Sequence, residues 1–433
     1  MIIFPFASAR SVALVCLFAF TAAARAQDDP LSASILRRGD ASWELARKIW
    51  GWAEPGYQET RSAKLLADTL EGAGFKVERG VAKIPTAFTA TIGSGRPVIG
   101  IMGEYDALPG LSQDAVPFRK PRPETNGGHG CGHHLFGVAS MSACLALAEE
   151  MKAGRIKGTL RFYGCPAEEG GSARVFMVRE GLFKDCDAVL HWHPGSRNRA
   201  GERSNLARIA VKFRFHGLSA HAAGSPEKGR SALDAVELTN HAAQLLREHT
   251  PDFTRIHHVI TDGGGAPNVV PDFAEVFYYV RHPDADVAKK VYDRLVKCAQ
   301  GGALATETKL EVVYLGGTVQ LMPNDTLADV CRKHLKRFND LSYDDEETKF
   351  ALRIQETLID KLPLESVKEV DLGSGGDSKG STDVSDVTWV VPTGGFSTAC
   401  WVPGTPAHSW QATAAGGTTI GRKGMQLAAR VLA

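Results

Sequence analysis

The stretch Gly127-Gly128-His129-Gly130-Cys131-Gly132-His133-His134-Leu135-Phe136-Gly137 constrains this chain more than any other. One thiol and three imidazoles fall within six residues, immediately before an apolar run of helical character. Thiolate and imidazole at this density suit a borderline cation such as zinc. The glycines at 127, 128, 130 and 132 let the backbone bend until such side chains converge. Taken alone, the stretch also suits a Gly-rich turn with a buried Cys and surface His. The decisive question is whether the rest of the chain brings further ligands to it.

Three successive strand patterns end in metal-competent residues. Pro97 to Gly103 is a continuous apolar run, the mark of a strand buried on both faces, and it ends in Glu104-Tyr105-Asp106. Gly158 to Gly164 is a second such run, ending in Cys165-Pro166-Ala167-Glu168-Glu169-Gly170-Gly171. Adjacent carboxylates there are costly if buried, unless paired or metal-bound. Asp187 to Leu190 leads into His191-Trp192-His193-Pro194-Gly195. Open α/β sheets bind ligands beyond the carboxyl ends of their strands, which is where these groups fall. A fourth segment, Pro403 to Trp410, is a turn-rich loop around His408.

Between these segments the periodicity changes. Ala207 to Phe215 alternates like a strand with one exposed face. A helix to about Leu246, strands at His257–Thr261 and Ala274–Arg281, a helix to Gln300 and a strand at Lys309–Leu315 follow, the order of a split βαβ sandwich. The expected architecture is therefore α/β. A catalytic domain, 27–203 and 318–433, has a mixed sheet flanked by helices. It is interrupted by an α+β, ferredoxin-like lid at 204–317. Helices are expected at 42–53, 62–74, 135–151, 325–338 and 420–432, and a strand at 386–391. The charged and Gly/Ser-rich stretch 341–380 reads as a surface excursion with a mobile loop.

The length, 433 residues, suits two domains, and 43% hydrophobic with 23% charged residues is ordinary for a soluble globular protein. A formal net charge of +1 with no basic stripe excludes a nucleic-acid binder. At the N-terminus, Arg10, the apolar stretch 11–24 and Ala24-Arg25-Ala26 form a signal-peptide pattern over 1–26. That pattern implies export, most simply to a periplasm, with no membrane attachment after cleavage. Cys144, Cys165, Cys186, Cys298, Cys331 and Cys400 show no disulfide-scaffold spacing and read as buried thiols.

Together GEYDALPG, GHGCGHHLFG, PAEEGG, HWHPG, SAHAAGSPEKGRSALDAVEL, PNVVPD, STDVSDVTWVVPT and GTPAHSW, in this order, resemble the co-catalytic-metal amidohydrolases and carboxypeptidases, and most their aminobenzoyl-glutamate branch. The resemblance implies a zinc-peptidase-like domain, a lid that dimerises, and two divalent ions, zinc or manganese. It makes Cys131, His133, Glu169, His193 and His408 the ligands, Cys131 bridging, Glu168 the general base and Asp106 the residue that orients a ligand from behind. It assigns His221 to the oxyanion of the partner protomer's site, and Asn268 and Arg281 to the substrate's carboxylate and carbonyl. The substrate implied is a small N-acyl or N-aroyl amino acid, p-aminobenzoyl-glutamate-like, cleaved by a homodimer or by a heteromer with a related chain.

Two positions depart from the pattern. Glu104 stands where many relatives have His, and His134 where the branch often has Asp. His191 competes with His193, since strand alternation puts both on one face. The alternatives are a dipeptidase, carboxypeptidase or xenobiotic amidase on the same chemistry, a cysteine hydrolase built on Cys131, and a non-enzymatic metal-binding protein.

Overall fold

The computed structural model describes residues 29–201, 203–371 and 378–433. The expected signal segment 1–26 and the first part of the Gly/Ser tract, 372–377, lie outside the described residues. The chain forms two compact units, one from its N-terminal part with 323–371 and 391–433, the other from 203–322 with 378–390.

The first unit holds an eight-stranded mixed sheet. Its strands are β1 (Lys76–Arg79), β2 (Phe88–Ser94), β3 (Val98–Glu104), β4 (Gly158–Cys165), β5 (Ala188–Gly195), β6 (Asn198–Ala200), β7 (Val370–Asp371) and β8 (Thr393–Ala399), in the order β1-β2-β4-β3-β5-β8-β6-β7. The central four, β4, β3, β5 and β8, run parallel. Their Ile101, Phe162, Trp192 and Phe396 enter one core with helix α1 (His133–Lys152). That helix is sheathed on nearly every side, and its run of Ala, Leu and Met explains both its formation and its burial. It begins at Gly132, whose φ of 77° is open to glycine and whose Cβ position would lie 2.8 Å from Pro194.

In the second unit four antiparallel strands, Ala207–His216, Arg255–Asp262, Phe273–His282 and Lys309–Thr318, form a sheet in which the first and third are central. Helices Ala232–Arg247 and Ala285–Thr306 pack their apolar residues onto it around Phe213, Phe215, Val276 and Tyr278. This is the expected ferredoxin-like layer.

Three local expectations are corrected. The strand expected at 386–391 is a short helix, Val384–Thr388, and the strand lies beyond Pro392 at Thr393–Ala399. The strand's Gly394 admits Leu327, which a Cβ there would meet at 2.6 Å. Packing selects a segment whose own β-propensity is low. The segment ahead of the first expected helix at 42 contains one of its own, Pro30–Arg37, capped by Asp29 and seated through Ile35. The stretch 341–380 includes a helix, Asp345–Gln355, begun by a capping box of Asp344 and Glu347.

Candidate metal centre

The carboxyl ends of the parallel strands deliver the site. Glu104 closes β3, Glu168 and Glu169 follow β4, and His193 lies near the end of β5. Cys131 and His133 enter from the turn before α1, and His408 from the loop before the helix Trp410–Gly416. The backbone N–H of His408 donates to the carbonyl of Gly130 at 2.9 Å, which ties the late loop to the central motif. Ala167 and His408 hold left-handed φ values of 53° and 57°, strained for residues with a Cβ.

The donor atoms of Cys131, His133 and His193 lie within 4.8 Å of one another, and so do those of Cys131, Glu169 and His408. Cys131 is common to both triads. A third group joins Glu104, His133 and Glu168. Cys131 Sγ stands 3.4 Å from His193 Nε2. His193 Nδ1 donates to the carbonyl of Pro194 at 2.7 Å, so its Nε2 carries the lone pair. His133 Nδ1 donates to Asp106 Oδ1 at 2.7 Å, which leaves its Nε2 facing inward. The other oxygen of Asp106 accepts the backbone N–H of Glu169 at 2.9 Å. One buried carboxylate thus fixes both an imidazole and the loop bearing Glu169. His408 Nε2 lies 3.3 Å from Glu169 Oε2.

The electrostatics within the chain are unbalanced. Burial, with Asp106 and Glu104 adding to it against the pull of His133, pushes Glu169 up to about 7. Burial, then the charge of Glu169, pushes the Cys131 thiol well above its ordinary value. Burial lowers His193 to about 4 and, with His133, lowers His408. Burial also opposes charge on His133, but Glu104, Cys131 and Asp106 outweigh it and raise the ring well above its ordinary value. Among the described residues Glu169 Oε1 is buried without a hydrogen-bond partner, and His133 Nε2 faces a carboxylate oxygen, Glu104 Oε2, at 2.9 Å. A buried atom left unpaired carries a desolvation cost of about 1–3 kcal/mol. A cation bound there would relieve it, and thiolate, imidazole and carboxylate suit a borderline divalent ion.

Two residues that sequence reasoning passed over complete the surroundings. Arg174, fully buried on the helix Ala173–Arg179, donates to Glu104 Oε1 at 2.5 Å. Glu59, also fully buried, accepts the N–H of Ala167 at 2.7 Å and so holds the turn that presents Glu168. A lone Glu just before a helix and a lone Arg within one give no local signal of burial. His129 and His134 stand behind the centre. Their Nε2 atoms donate to the carbonyls of Ile49 and Gly416 at 3.1 and 3.0 Å, and neither ring belongs to a donor triad. His191 is buried but lies outside the triads as well.

His221, Asn268 and Arg281 belong to the second unit. His221 Nδ1 accepts the N–H groups of Ala223 and Gly224 at 3.2 and 3.0 Å, so the neutral ring carries its proton on the exposed Nε2. Asn268 lies across from it, its carbonyl accepting the N–H of Ala222 at 3.0 Å. Arg281 donates to Ser381 at 3.2 Å and helps line a cavity of about 760 Å³ with Arg255, His257, Tyr279 and Lys379.

Residues 100–409 match the model of Peptidase family M20/M25/M40. The chain is 41% identical to a subunit of the p-aminobenzoyl-glutamate hydrolase of Escherichia coli (strain K12), over 94% of this chain and 89% of that protein. It is 28% identical to the Xaa-Arg dipeptidase of Mus musculus, over 80% and 74%. A solved aminobenzoyl-glutamate utilization protein from Klebsiella pneumoniae shares the fold, with a TM-score of 0.65 at 19% identity over 93% and 98% of the two chains.

Proposed function

The chain belongs to peptidase family M20/M25/M40, whose members hydrolyse amide bonds, and on that footing we propose that it cleaves N-acyl or N-aroyl amino acids of the p-aminobenzoyl-glutamate kind at a centre of two divalent ions. The observation that carries this reading is the sharing of Cys131 between the triad with His133 and His193 and the triad with Glu169 and His408. A thiolate at that shared position would offer lone pairs to both ions, and zinc or manganese suits the mixed donors.

When bound, such ions lower the pKa of water from about 15.7 to roughly 7 and polarise the scissile carbonyl. Glu168, presented by the turn that Glu59 holds, takes the water's proton and returns it to the leaving amine. Asp106 keeps His133 in the tautomer that offers Nε2. His221, with its proton on Nε2, is prepared to donate to an oxyanion, and Arg281 offers a bidentate grip to a carboxylate with Asn268 beside the carbonyl. We assign the region 204–317 as a lid that also dimerises, with His221 serving the partner protomer's site. An active monomer would contradict that placement. The similar Escherichia coli protein is named as one subunit of its hydrolase, and a further relative from the same organism, 26% identical, is named as another subunit of it. A heteromer with a related chain is therefore the alternative assembly. Among the described residues no helix is long and apolar enough to cross a membrane. With the signal-like pattern at 1–26, export to a periplasm is the location proposed.

The test is a hydrolysis screen of the purified protein across N-aroyl and N-acyl amino acids, with metal content measured alongside. Turnover of p-aminobenzoyl-glutamate that vanishes with chelation supports the reading. Dipeptides ending in arginine are the second substrate class, favoured by the mouse relative. Faster turnover of those would replace the aroyl substrate.

A further inference from the structure

We propose that Glu104 supplies a ligand oxygen to the ion held by His133, while Arg174 balances the other oxygen of the same carboxylate. The proposal rests on the two-ion reading above and adds a donor to it.

Glu104 ends β3, within the row of strand ends that builds the centre, and is 1% exposed. Its two oxygens have different surroundings. Oε1 accepts from the guanidinium of Arg174 at 2.5 Å. Oε2 faces His133 Nε2 at 2.9 Å, an ion pair when the ring is protonated. That nitrogen is the one left over once Asp106 has taken Nδ1. A carboxylate oxygen and an imidazole nitrogen, both buried and facing each other at 2.9 Å, pair through a proton when the ring is charged and can share one cation when it is neutral. Glu168 completes the group with them.

Charge points the same way. Glu104, Asp106, Glu168, Glu169 and Cys131 are five groups that can carry negative charge at one buried site, with Arg174 against Glu104. Two divalent ions would offset that accumulation. A residue present only to pair Arg174 would not need its second oxygen aimed at the metal-facing nitrogen of His133.

The direct test is a crystal structure of the zinc-loaded wild-type protein. The proposal expects a Glu104 oxygen at about 2.0–2.2 Å from one ion. Two bound ions with both Glu104 oxygens beyond about 3 Å would overturn it. Zinc affinity, read by competition with a chromophoric chelator, gives a second test. Glu104→Gln alone removes the carboxylate charge that faces the buried Arg174, and its instability would confuse the result. The double variant Glu104→Gln/Arg174→Gln keeps the pocket's net charge, and its melting temperature is read alongside because the shorter side chain in place of Arg174 leaves a void at a buried position. We expect it to bind one zinc at least about 100-fold more weakly, at or beyond the upper end of what orienting residues contribute. A double variant that holds both ions as tightly as wild type would reduce Glu104 to a partner of Arg174. A wild-type protein that binds no zinc would sink the two-ion reading itself. Two ions with Glu104 apart would sink only this inference.

Discussion

In the second unit Glu275 faces Arg214 across the central strand pair and is fully served. Lys212 and Thr261 donate to one oxygen at 2.7 Å and Arg214 to the other at 2.6 Å. In the first unit Glu169 is also screened from solvent, but among the described residues its Oε1 has no hydrogen-bond partner, and the Nε2 of His133 lies 4.0 Å from it. The two carboxyls differ accordingly. Burial raises Glu275, but its three donors outweigh it and hold the group down to about 2, whereas burial pushes Glu169 up to about 7. A sheet that satisfies its own charges needs nothing further. A set of strand ends that leaves donors unpaired, and points them at one another, is completed by something added.

The largest expected difference is the response to chelation. Stripping divalent ions should abolish turnover and destabilise the first unit, by about 2.7 kcal/mol for each ion that had been present at 100 times its Kd. Hydrogen exchange should report lost protection in α1, β3 and β4 but none in Ala207–His216 or Phe273–His282. Equal loss in both units would erase the contrast. Zinc or manganese should restore activity, whereas a cysteine hydrolase would resist the chelator and succumb to thiol alkylation.

Glu168→Gln comes next. Turnover should fall by ~10²–10⁴ while metal content stays as in wild type. An active variant would remove Glu168 from the base role.

Glu59 sharpens the comparison through pH. Burial, then the charge of Asp106, raises its carboxyl to about 7. The folded state therefore holds a proton that the unfolded chain has already released above about 4.5, and stability falls as pH rises from there to about 7. Glu59→Gln should flatten that fall, read as the difference in melting temperature between pH 5 and pH 8. An unchanged difference would mean that the buried carboxyl is not what titrates. Glu275 has the opposite sign, since its stabilisation is present above about 4.5 and is lost as pH falls through about 2.

The smallest effect belongs to Glu275→Gln. It should lower the second unit's melting temperature by a few degrees, about 1 kcal/mol, and leave metal content untouched. Loss of metal in this variant would show that the two units do not keep their charges separately.

The parts legible in the sequence were those with local chemistry. The Cys-Gly-His turn, the acidic end of β4 and the ferredoxin-like strand order each announce themselves through composition or period. What stayed hidden depends on contact between distant segments. Arg174 and Glu59 look like solvated residues until Glu104 and the Ala167 turn close on them. The strand Thr393–Ala399 has Gly394 where a β-former would be expected, because Leu327 needs the room. His134, which departs from the pattern of the branch, proves to serve a carbonyl behind the centre and not the centre.

Metal stoichiometry tests the central claim most directly, that Cys131 is shared by two cation sites. Elemental analysis of zinc-saturated, desalted protein should give two ions per chain for the wild type, one each for His193→Ala and His408→Ala, and fewer than one for Cys131→Ala. Two ions retained in Cys131→Ala, or the same ion lost from both histidine variants, would contradict it.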